Sequence, residues 1–130
     1  MAENTEAKLK AFVICENIIR DTNNRASLIN IFDSLKVEKL PGNIGLNIFL
    51  SFFCVIGTRE LKIEMISPSG EKLNTFGQEV LIPLPSGYDL TIQGIFGIKE
   101  KGEYTFIAYL DGEMLGEAFL TIHIIKGDEA

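Results

Sequence analysis

Apolar and polar residues alternate with a period of two along much of this chain. In Glu60–Ser67, Leu61, Ile63 and Met65 fall on one side and Lys62 and Glu64 on the other. That pattern predicts a strand with one face in the core and one in water. Lys8–Glu16 (KLKAFVICE) is short and rich in β-branched and aromatic residues, so it reads as a strand, and Ser27–Glu38 as a second. Between them Asp21-Thr22-Asn23-Asn24-Arg25 is a turn, because Asn and Asp bond to their own main chain and tolerate a left-handed backbone. Pro41-Gly42-Asn43 breaks the chain before Leu46–Ile56, the most apolar segment. Pro68 and Gly70 form a turn that returns Glu71–Phe76 as a hairpin partner. Gln78–Leu84 carries Pro83 and is followed by Pro85, which predicts a short strand at an edge, since proline cannot donate to a ladder. Tyr88–Ile98, Glu103–Leu110 and Glu113–Ile125 complete the series.

The last two segments meet at Asp111-Gly112, which favours a two-residue type I′ hairpin because both central residues need positive φ. Strands about ten residues apart, with turn signals between them, predict an all-β fold: an antiparallel two-sheet immunoglobulin-like sandwich of about 7–9 strands. No segment holds helical periodicity over the roughly ten residues a helix needs. Residues 1–7 read as a flexible tail and 8–130 as a single domain. Phe12, Ile31, Ile63, Ile92, Tyr104, Phe106, Leu110 and Ile122 are expected in the core, and Gly94 and Gly97 are expected to mark a bulge or bend.

Gly102-Glu103-Tyr104-Thr105-Phe106 resembles the start of the penultimate strand of immunoglobulin-like domains. There a tyrosine corner precedes a buried residue by two positions, and antibody domains place a cysteine where Phe106 stands. The closing stretch GEYTFIAYLDGEMLGEAFLTI and the opening AFVICENIIRDTNNRASLINIFDSL are similar to those of a bacterial family of small uncharacterised proteins, a domain of unknown function. The resemblance implies an immunoglobulin-like sandwich and brings no activity or site residues with it.

Charge narrows the function classes. The formal net charge of −6, without a basic run, disfavours nucleic acid and anionic membranes as partners. Leu46–Ile56 is about half the ~20 residues a membrane-spanning helix needs. Met1–Lys8 lacks an apolar signal region and the chain has no Asn-X-Ser/Thr sequon, so a cytoplasmic location is expected. Cys15 and Cys54 sit in apolar runs and read as buried free thiols; a disulfide bridging the sheets is the alternative.

Candidate chemistry is sparse. His123, the one histidine, alternates with Ile122 and Ile124 and is expected on the surface. Neither cysteine has a Cys or His at metal-ligand spacing, and neither has a base beside it in sequence. Asp111, Glu113 and Glu117 gather oxygen ligands near the last hairpin, but a two-residue turn already explains Asp111. No cofactor or metal is expected. These residues point to a non-catalytic protein-interaction or structural module, not an enzyme, with a homo-oligomer or another protein as partner. The alternatives are a carboxylate-based enzyme using Glu64, Glu117 or Asp33, and a small-ligand or carbohydrate-binding module stacking sugars on Tyr88, Tyr104 and Tyr109. The candidate interaction surface is the second face of Leu46–Ile56, where Phe49, Phe53 and Val55 would form one apolar patch open to a second copy, unless the N-terminal tail or the Pro83–Pro85 segment folds over it.

Overall fold

The alternating segments pair into two sheets. A computed structural model describes residues 7–54, 57–82 and 86–125. Its strands are β1 (Lys8–Arg20), β2 (Ala26–Ile31), β3 (Ser34–Val37), β4 (Gly42–Cys54), β5 (Gly57–Ile66), β6 (Lys72–Ile82), β7 (Ser86–Ile98), β8 (Gly102–Leu110) and β9 (Glu113–Ile124). One sheet has the order β2-β1-β4-β7 and the other β3-β9-β8-β5-β6. The fold is an immunoglobulin-like sandwich, antiparallel except where β3 runs parallel to β9. Among the described residues there is no helix, and so none long and apolar enough to cross a membrane.

The parallel pair arises where Ser27–Glu38 was expected as one strand. The chain changes sheets at Phe32-Asp33 instead. The Phe32 amide donates to the Ile14 carbonyl of the first sheet at 3.1 Å, and the Thr121 amide of the second sheet donates to the Asp33 carbonyl at 2.9 Å. Successive residues are thus held by different sheets, which splits the segment into β2 and β3.

The inner faces meet through Ile44, Leu46, Ile48, Leu50 and Phe52 of β4 against Leu61, Ile63 and Met65 of β5, with β8 and β9 completing the core. Of the residues expected there, Ile63, Tyr104, Phe106, Leu110 and Ile122 are buried, and Phe12 and Ile92 pack half-buried against them. Ile31 is the correction: it stands 62% exposed. It lies opposite Cys15, one position out of phase with the core residue Ile14, so pairing turns it to the outer face.

The tyrosine corner is present. The Tyr104 hydroxyl donates to the Glu100 carbonyl at 2.6 Å, and Phe106, two residues on, is fully buried with its ring edge-on to Phe96. Asp111 and Gly112 have φ of 52° and 84°, as a type I′ turn requires. Two other expectations change. Glu71–Phe76 and Gln78–Leu84 form one edge strand, β6, as far as Ile82. Gly94 and Gly97 mark no bulge, because the β4–β7 ladder runs without a register shift from Gly42↔Ile98 to Cys54↔Ser86.

Candidate interaction surface

β4 is interior to its sheet and presents Asn47, Phe49, Ser51 and Phe53 outward. Asn47 and Ser51 are nonetheless buried, 9% and 7% exposed. The cover is the far half of the β1–β2 hairpin. β1 pairs with β4 as far as Cys15↔Asn47. If it ran straight on, Arg20 would reach the level of Gly42, about 24 Å along β4 from Phe49 at ~3.4 Å per residue. Instead the Arg20 guanidinium lies 5.9 Å from the Phe49 ring centre and pairs with Asp89 of β7 at 2.8 Å. The hairpin therefore curls back over the sheet. Asn47 Nδ2 donates to the Glu16 carbonyl at 2.8 Å where the bend begins.

Of the three residues singled out in the sequence, Phe49 is half-buried beneath Arg20. Phe53 is 43% exposed beyond the hairpin, and Val55 lies outside the described residues. Of the two that are described, Phe53 is open and Phe49 is covered. The β1–β2 hairpin folds over this face; residues 1–6 and 83–85, the other covers the sequence suggests, lie outside the described residues. Polar residues of the Asx turn close its tip: Asp21 Oδ1 accepts from the amides of Asn23 and Arg25, and those bonds together with the Arg25 side chain hold its carboxyl below the usual range.

The other chemical candidates are dispersed. Cys15 is fully buried and free, and burial pushes its thiol up. Cys54 lies seven positions from the residue opposite Cys15 along β4, about 24 Å away at strand spacing, far beyond the ~7 Å Cα limit of a disulfide. His123 is exposed. Glu64 is buried on the outer face of the second sheet. Burial pushes its carboxyl up, but hydrogen bonds and charge from Lys72 and Lys62, at 3.2 and 3.3 Å, outweigh that and hold it low. Glu117 is exposed one strand further on, across Ile107, and Asp33 stands at the sheet crossing. Asp111 accepts from the Glu60 amide at 2.9 Å and from Arg59 at 3.2 Å, so it serves the turn. Among the described residues no group of three or more His, Cys, Asp or Glu is placed to hold a metal ion. Tyr104 is in the core and Tyr88 packs against Phe52, which leaves Tyr109, beneath Lys62, on an outer face.

What the sequence reading missed is an edge. β7 ends the first sheet, and among the described residues nothing pairs with its outer side. It is 13 residues long, carries one charge, Asp89, and has no proline. Its exposed Ile95 is the least buried large apolar residue described, at 78%. Exposed strand edges attract further strands, and proteins usually blunt them with charge, bulges or short length. The other edges are blunted: β6 carries Lys72 and Glu79 and has a register shift, β3 is four residues with Lys36, and β2 is kinked by positive φ at Asn30. β7 lacks these devices.

A family model described as a family of unknown function (DUF6941) matches residues 10–123. No curated protein matches the chain. Among solved structures, the chain is similar to the Pseudomonas fluorescens alkylpurine DNA glycosylase AlkC bound to DNA containing an abasic site analog, at 10% identity and TM-score 0.56, covering 92% of this chain and 31% of that one. It is similar to the C-terminal domain of wzt at 11% identity and TM-score 0.57, covering 89% and 72%. An immunoglobulin-like protein from Pseudomonas aeruginosa matches at 14% identity and TM-score 0.43, covering 92% and 98%. The chain thus spans about a third of the glycosylase, and at these identities the first two likenesses speak to fold alone.

Proposed function

We propose that this chain, which belongs to the family of unknown function DUF6941, is a non-catalytic interaction module that extends its first sheet by taking up a strand at β7, supplied by a second copy. The observation that carries the reading is the unprotected β7 edge, long, regular and nearly uncharged beside three blunted ones. Strand addition draws its affinity from main-chain hydrogen bonds and its specificity from alternate side chains. β7 is compatible with itself. Antiparallel pairing about a two-fold axis near Ile92 sets Thr91 against Gln93 and Asp89 against Ile95, keeping the two Asp89 carboxylates about 20 Å apart at strand spacing. The covered outer face of β4 supports an edge over a face as the contact.

Light scattering tests the reading. The wild type is expected to show the mass of two chains at micromolar concentration. Ile95→Glu, which sets a carboxylate against Asp89 of the partner copy, is expected to give one chain, and Leu81→Glu on the β6 edge is expected to stay dimeric. A wild-type mass of one chain, or an Ile95→Glu protein as dimeric as the wild type, would contradict it.

A further inference from the structure

The sandwich does not close on the side where β6 and β7 end their sheets. Phe76, Ile92 and Phe96 point inward yet stay half-buried, because among the described residues no strand bridges the two edges there. Between them lies a cavity of about 240 Å³ reaching Ile48, Ile63, Met65 and Phe106. Gly94 contributes to the wall from an inward-facing position, and its missing side chain lets the Phe96 ring pack within 3.1 Å of where a Cβ would stand. Phe96 and Phe106, edge to face at 5.9 Å, form one end. Among the described residues no charged side chain lines the space, and the one lining side chain capable of hydrogen bonding, Gln93, belongs to a residue whose alternation points it to the outer face.

We propose that this cavity is a binding site for a small uncharged apolar molecule, an aromatic ring or short alkyl chain. The space is a cleft with an apolar floor, open where the two sheet edges stand apart. An enclosed apolar cavity of about 150 Å³ accepts benzene, and the lining of this cleft is predominantly apolar. The aromatic edge at one end and the flexible Met65 thioether at the wall suit a ring and adapt to its substituent. A carboxylate or ammonium would lose its hydration with nothing in the lining to replace it, which excludes charged ligands from the interior.

The experiment is a titration of the whole chain, labelled at isoleucine and methionine methyl groups, with n-butylbenzene, followed by NMR. Saturable shifts are expected at Ile48, Ile63, Ile92 and Met65, with a dissociation constant below about 1 mM. 4-Phenylbutyrate, a related ring and chain ending in a carboxylate, is expected to bind at least about tenfold more weakly. Ile92→Phe, which puts a larger side chain into the space, should weaken n-butylbenzene binding by a similar factor. The wild-type pattern decides the matter even if that variant does not fold. Absent shifts up to the solubility limit, shifts centred on the exposed Ile95, equal affinity for the carboxylate, or undiminished binding by a folded Ile92→Phe would each overturn the proposal.

Discussion

Phe106 shows how one residue ties sequence to stability. Its ring is fully buried, meets Phe96, and follows the tyrosine corner that fixes the start of β8. Phe106→Ala should cost about 3–5 kcal/mol in chemical denaturation, because strands held by ladders on both sides close poorly over a void. Glu64 contributes to the loss of stability in acid. Its carboxyl is held low in the folded state by Lys72 and Lys62, so the folded chain binds fewer protons than the unfolded one. The stabilisation is present above the ordinary carboxylate range and is lost as pH falls through the folded value. Glu64→Gln should therefore flatten the fall in melting temperature between pH 5 and pH 3; an unchanged slope would show that the carboxylate is not held low. The alternation around Phe106 was plain in the sequence, and the exposure of His123 followed from the same period. The burial of Glu64 was not, since a period of two says which side of a strand a residue takes and nothing of the lysines that later close over it.

At the scale of elements, the turns were the most legible part. Asp111-Gly112, Asp21–Arg25 and Ser67–Gly70 each carry chemistry that sets the backbone by itself. What happens between turns depended on partners. The switch of sheets at Phe32-Asp33 and the curl of the β1–β2 hairpin leave no mark in periodicity, because both are decided by which distant strand supplies the next hydrogen bond. The hairpin makes its own prediction. Cys15 lies on the outer face and is fully buried there. Arg20→Ala removes the contacts to Phe49 and Asp89, partly exposed ones, and should cost no more than about 1 kcal/mol. It should nevertheless speed alkylation of Cys15 in the folded protein several-fold, because the hairpin then lifts more often. Peptide mapping of iodoacetamide-treated wild type and variant checks this, and equal rates would mean that Arg20 does not hold the hairpin down.

For the molecule as a whole, the sandwich and its core were readable from the chain, while the order of strands within each sheet was not. The side-chain pattern singles out Phe49 and Phe53, whereas the unprotected feature of β7 is its main chain, which the strand order places last in its sheet. Amide hydrogen exchange, measured at low and high protein concentration, reads that edge directly. Pairing with a second copy should protect alternate amides within Ser86–Ile98 as concentration rises, and leave the amides of Lys72–Ile82, at the neighbouring edge of the other sheet, unchanged. Exchange in β7 that is independent of concentration, or protection that appears on β6 instead, would contradict the account.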